Sequence, residues 1–293
     1  MFRKALSRLL HFKIFRRPET NLGKGGVGAY QPPVDRLLAL GEPGKKDWLD
    51  YQTMGLSEAH IPELARLAAD RELNFEADQD GPEVWAPMHA WRALGQLRAV
   101  SAVGPLLELL DEADDNDDEW AMEEIPIVLG MIGPEALEPI SRYLDHRHNL
   151  FGHVAAISAV EEIAKRHLES RGRCIKLLNR KLERYKKQDP ALNAFIVMYL
   201  CDLKAVEAMP LIERAYHDDC VDETIQGDLE DVKVRMELIP PIPERERERE
   251  EARIEIENAM FPQRLAVAGE RRAKKKTRSK ANAARKARRK NRR

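Results

Sequence analysis

Several stretches of this chain carry residue types that could do chemistry. The segment GKGGVG, Gly23 to Gly28, echoes a phosphate-cradling loop. Such a loop needs a Lys and a Ser or Thr after its last Gly, to reach phosphate and Mg²⁺. Ala29 and Tyr30 stand there instead, and Gln31-Pro32-Pro33 prevents a helix from opening, so the segment reads as a linker. His146, His148 and His153 cluster in HRHNLFGH, but zinc needs three or four ligands of fixed geometry and no Cys lies nearby in sequence. The acidic run Asp111–Glu119 (DEADDNDDE) fails as a calcium loop. Counted from Asp114, its sixth and twelfth positions hold Glu119 and Ile125, where Gly and Glu are required. Cys174, Cys201 and Cys220 form no CxxC pair, which argues against a disulfide framework and a zinc site and suits a reducing compartment. Two of the three fall at core phases, where Cys acts as a small apolar residue. Trp85, Trp91 and Trp120 read as core or cap residues. No triad, paired carboxylate or cofactor signature emerges, so the expectation is a protein that is not an enzyme and has neither cofactor nor metal.

The strongest chemical feature is electrostatic. The net charge of −1 hides a strong asymmetry. Residues 1–30 carry seven Lys/Arg against Glu19, and residues 271–293 carry fourteen with no acid, which leaves −21 for residues 31–270. The end of the chain, with Arg271, Arg272, Lys274, Lys275, Lys276, Arg285, Lys286, Arg288, Arg289 and Lys290, is expected to bind polyanions with little sequence readout and strong salt dependence. RNA, DNA, a ribonucleoprotein or an acidic protein would each serve. In a nucleated cell the same run reads as a nuclear import signal; otherwise the expected location is cytoplasmic.

The elements that would position any site are helical and repeat. Short apolar helices begin near Pro105, Pro139, Cys174 and Pro210, in steps of 34, 35 and 36 residues. Each follows another apolar helix with a small residue nine or ten positions upstream: Gly95, Gly130, Ala164 and Cys201. Three of the four second helices open on Pro, whose missing N–H costs nothing in a first turn. Val103, Leu106, Leu107 and Leu110 lie at i, i+3, i+4 and i+7, as do Ala208, Leu211, Ile212 and Ala215. Such helices cannot bury their apolar stripes alone, and stacking neighbour on neighbour buries them. Period-two alternation is nowhere sustained, so no β reading competes. A tetratricopeptide array shares the period and matches at Trp91, Leu94 and Gly95, yet Arg98 and Asp111 stand where Tyr and Phe are required.

The stretch HAWRALGQLRAVSAVGPLLELL resembles the short HEAT-like repeat of phycobilisome-lyase-type proteins, with its Ala-Leu-Gly turn and Pro-Leu-Leu second helix. IPIVLGMIGPEALEPISRYL, residues 125–144, repeats the pattern, and 154–182 and 192–216 keep the spacing without the Gly. The resemblance covers residues 84–216, with a half-unit at 60–70. It implies an all-α, HEAT-like α-solenoid that acts as a binding scaffold or adaptor. It also admits a helper in bilin-type cofactor attachment, although no residue here supplies that chemistry. In that architecture the second helices line the concave side, so Glu108, Arg142, Lys181 and Glu213 are implied contacts for a protein partner.

The expected organisation has four parts. Residues 1–34 form a basic amphipathic segment and linker, in which Phe2, Ala5, Leu6, Leu9 and Phe12 share a helical face. That face would dock on the array, lie on a membrane surface or serve targeting. Residues 35–238 hold the array and its caps, with the acidic run as a loop between the first and second repeats. Residues 239–270 hold the break at Pro240, Pro241 and Pro243 and a charged helix, and 271–293 form a disordered basic tail. No apolar run reaches the roughly 18 residues needed to span a bilayer.

Overall fold

The computed structural model describes residues 29–44, 48–76, 81–146, 149–241 and 243. GKGGVG, the basic amphipathic start, His148, the expected charged helix and the basic end all lie outside these residues. The chain divides into two compact units, Met1–Leu238 and Ile239–Arg293. All elements named below belong to the first.

Among the described residues the secondary structure is helical throughout, and eleven α-helices are defined. The protein is therefore all-α. Helix α1 (Ile61–Ala68) precedes four successive pairs: α2 (Ala86–Gln96) with α3 (Val103–Asp115), and α4 (Glu119–Ile132) with α5 (Leu137–Asp145). Next come α6 (Leu150–Arg166) with α7 (Arg171–Leu182), and α8 (Pro190–Asp202) with α9 (Met209–His217). Short helices α10 (Glu223–Gln226) and α11 (Leu229–Arg235) follow and both pack on α8. First helices contact first helices in succession, α2 on α4, α4 on α6 and α6 on α8. Second helices do the same, α3 on α5, α5 on α7 and α7 on α9. One continuous apolar core runs through all of them.

Side-chain links join neighbouring pairs at about one repeat of sequence separation. Tyr143 Oη donates to Asp111 at 2.8 Å, Tyr185 Oη to Asp218 at 2.7 Å and Asn149 Nδ2 to Asp115 at 2.8 Å. Five helices end in the same way, with the second residue past the helix in the left-handed region: Arg98, Asp117, Lys204, Asp219 and Glu237. After α2, Ala99 N–H reaches back to Leu94 O at 3.0 Å, and after α8 Ala205 N–H does the same to Leu200 O at 2.9 Å. This is the Schellman arrangement, which gives partners to carbonyls that have none within the helix.

Two expectations are corrected. The acidic run is not a loop throughout, because α3 extends through Asp115 and Asp118 caps α4 by accepting from Ala121 N–H at 3.1 Å. Ala113 in that run is fully buried, so packing on one face carries the helix through the charges. The packed body also begins before residue 35. Tyr30 and Val34 are buried, and Tyr30 Oη donates to Asp70 at 2.5 Å. Gly and Pro nearby made that stretch look like a linker, yet its aromatic residue fills core space beside α1.

Candidate partner-binding surfaces

The four implied contact residues all lie on second helices, but they do not share one fate. Glu108, Arg142 and Glu213 are exposed, and Glu213 pairs with Lys233 at 2.9 Å. Lys181 is buried and does not belong to the surface. Its ammonium donates to Leu144 O at 2.5 Å, at the end of α5 on which α7 packs. The last carbonyls of a helix lack intrahelical partners, and a lysine from the neighbouring helix serves one here. Burial first, and then the Arg184 charge, lower the pKa of Lys181 to about 8. Cys174 and Cys201 are buried, as their phases predict, and burial pushes both thiols up to about 11. His153 and His146 each meet a backbone carbonyl, His146 O at 3.2 Å and Arg142 O at 2.7 Å. Among the described residues no three His, Cys, Asp or Glu side chains are grouped to hold a metal ion, and no helix is long and apolar enough to cross a membrane.

The turn between the helices of each pair recurs in detail. It spans Ala99–Ala102, Gly133–Ala136, His167–Ser170 and Ala205–Ala208, and in each the fourth N–H donates to the first carbonyl at 2.8 to 3.0 Å. The fourth residue is always small and buried, so the following helix can close on the core. The second residue points the other way: Val100 is 47% exposed, Leu168 74% and Val206 47%. Pro134 holds that place in the second pair and is partly buried. The sequence reading missed this row, although AVSA at 99–102 and AVEA at 205–208 announce it.

A polar network lies deep between α2 and α4. Arg92 is 1% exposed; its Nε donates to Glu124 at 2.7 Å and its second terminal nitrogen bonds the other carboxylate oxygen. Its remaining nitrogen reaches Gly44 O at 3.0 Å, and its guanidinium lies 4.7 Å from the Trp48 ring centre. Trp91 Nε1 also donates to Glu124, at 3.2 Å. Nearby, His89 Nε2 faces Gly41 O at 2.9 Å and must carry the proton, so Nδ1 accepts from Tyr51 Oη at 2.7 Å. Burial lowers the His89 pKa and favours this neutral form. These groups satisfy one another and fasten Gly41, Gly44, Trp48 and Tyr51 to the first helices. A paired, buried network of this kind braces the fold.

Among the described residues, two of the clefts are large enough to hold a side chain. One, of about 520 Å³, is bordered by Gln52, Gln96, Arg98, Met131 and Arg166. The other, of about 390 Å³, has half-buried walls of Phe75, Trp85 and Trp120, with Met88 and Trp91 deeper and Asp118 beside them.

Fold and surfaces together define an all-α protein of successive helix pairs with a recurring turn between the helices of each pair. Residues 52–248, more than half of the chain, match the family model described as "Protein of unknown function (DUF1186)", and the chain belongs to that family. No curated protein and no solved structure matches it.

Proposed function

We propose that this chain is a non-enzymatic binding scaffold whose helix pairs stack as a HEAT-like solenoid and dock a protein partner along the turn row. The observation that carries the reading is the repeated exposure of an apolar residue at one turn position, in Val100, Leu168 and Val206. Single exposed apolar residues are ordinary. Recurrence at equivalent places, beside a buried small residue each time, gives a periodic set of anchors for an extended partner. The row-on-row packing of first and second helices supports the stacking.

The test compares full-length protein with a triple variant, Val100→Asp, Leu168→Asp and Val206→Asp, at matched circular dichroism. Proteins retained by the wild type at moderate salt should be lost from the variant. Equal retention by both would remove the turn row as the docking edge.

A second reading rests on a different observation, the fourteen Lys/Arg of residues 271–293. These would attach the scaffold to RNA, DNA or a ribonucleoprotein by counterion release. Nucleic-acid retention should then collapse between about 50 and 200 mM salt and disappear when 271–293 are removed. Retention by the shortened protein would end that reading.

A further inference from the structure

We propose that the cleft between Trp85 and Trp120 is a receptor for an arginine side chain presented by a partner polypeptide. The cleft is separate from the turn row and stands whether or not that row docks anything.

The geometry is that of a corner. The Trp85 and Trp120 rings meet edge to face, with centres 6.0 Å apart and planes at 86°. Phe75 adds a third aromatic wall, and Met88 and Trp91, almost fully buried, close the deeper end. The Trp91 indole N–H is turned onto Glu124, which leaves its ring as an apolar lining. A space of about 390 Å³ lies at the small end of ligand pockets. It is ample for one side chain.

Charge selects which side chain. Asp118 is the carboxylate of the lining, and it belongs to the run 111–119, which has seven acids and no base. Glu72, Glu76 and Glu83 belong to the segments that supply Phe75 and Trp85. Arg71, the base in those segments, is shared between Glu76 and Glu112 at 3.9 and 3.8 Å. An anion would be repelled here, and a neutral aromatic guest would desolvate Asp118 with no return. A cation over aromatic faces satisfies both features. Of the two natural cations, guanidinium is planar, weakly hydrated and able to stack on indole while donating to a carboxylate, whereas ammonium is a compact and strongly hydrated point charge.

Asp118 has capacity left for such a guest. It accepts from the N–H groups of Ala121 and Trp120, and a carboxylate offers about four lone-pair sites. Burial raises its pKa, a cost that a bound guanidinium would reverse.

The test titrates the full chain with a blocked Gly-Ser-Arg-Ser-Gly peptide and with its citrulline and lysine counterparts, by calorimetry and tryptophan fluorescence. The arginine peptide should bind saturably and perturb the fluorescence, with the other two at least about tenfold weaker, a difference of about 1.4 kcal/mol. Asp118→Asn, which keeps a good N-cap, should weaken the arginine peptide about tenfold with the melting curve unchanged. Equal binding of citrulline would overturn the proposal, and so would no saturation at millimolar peptide or an unaffected Asp118→Asn. Equal binding of lysine would reduce the site to general attraction by the acidic run. N-acetylarginine amide binding as tightly as the peptide would assign the cleft to a small guanidinium compound instead. The wild-type comparison of arginine with citrulline needs no variant, so a folding defect in Asp118→Asn cannot shield the idea. The turn-row triple variant should bind the peptide like wild type, which separates this site from the docking edge.

Discussion

The two rows of helices face different physical problems. In the first-helix row, α2 buries every residue from Ala86 to Gly95, including His89 and Arg92. No side of that helix is left for water, so each polar group must find a partner inside. In the second-helix row, α5 and α9 bury one stripe and expose the other, and their charges sit in solvent. The first row is thus where close approach and buried pairing decide whether the chain folds. The second row and the turns are where side chains meet solvent.

The hardest test of that contrast is Arg92→Ala. It leaves Glu124, 6% exposed, as a buried charge without its guanidinium. The expected loss is about 3–5 kcal/mol in a denaturant melt. The double change Arg92→Met with Glu124→Leu should cost clearly less than Arg92→Ala alone, because no orphan charge remains. A loss under about 1 kcal/mol for Arg92→Ala would mean that the first row is less sealed than its burial indicates.

Next in size is Gly130→Ala in α4. A Cβ at Gly130 would lie 2.6 Å from Glu162 Cβ and 3.2 Å from the Glu162 carbonyl carbon, so α4 and α6 would have to part. Overpacking of this kind costs about 1–3 kcal/mol. At Gly95 the nearest atoms are Met131 Sδ at 3.3 Å and Val128 Cα at 3.4 Å, and a flexible thioether can yield. Gly95→Ala should therefore cost under about 1 kcal/mol. Reversal of that order would show that something other than helix approach fixes these glycines.

Those glycines mark what the sequence makes legible. The small residue at Gly95, Gly130, Ala164 and Cys201 follows from the period, and so do the starts of the second helices. All four small residues are buried in first helices. The long-range choices were harder to read. Lys181 looks exposed by type, yet its partner is the Leu144 carbonyl 37 residues away. Arg92 and Glu124 stand 32 residues apart, close to one repeat, so the register itself could have paired them. Tyr30 was hidden by neighbouring Gly and Pro, and the acidic run by its charge, because composition cannot reveal one buried face. The meeting of Trp85 with Trp120 depends on how a turn before α2 meets the start of α4, which no local pattern encodes. As for the second-helix contacts, Glu108, Arg142 and Glu213 lie where a partner could reach them, and Lys181 does not.

A smaller effect should come from Asp114, in the second row where α3 meets α6. Its carboxylate accepts from Gly152 N–H at 3.3 Å, and burial raises its pKa to about 6. Between the unfolded value near 3.9 and that raised value the folded chain binds more protons than the unfolded one. Stability from this group is therefore full at low pH and is lost as pH rises through about 6. Asp114→Asn should remove that slope and stabilise the protein by about 1 kcal/mol at pH 7. Parallel curves for both proteins, from pH 4 to 7, would place the titration elsewhere.

The smallest effect carries the contrast furthest, because it repeats one substitution with the opposite sign. Gly104 and Gly172 lie in the first turns of α3 and α7, and a Cβ at either meets nothing within 4 Å. Alanine there restricts the unfolded chain and adds helix propensity without contact. Each change should stabilise by up to about 0.5 kcal/mol, since the gain is smaller near a helix end than in its middle. Additivity is expected, because the two glycines sit in different helix pairs and share no partner. If Gly104→Ala and Gly172→Ala destabilised as Gly130→Ala does, the second-helix row would be as tightly enclosed as the first. The freedom assigned to its surface would then be lost.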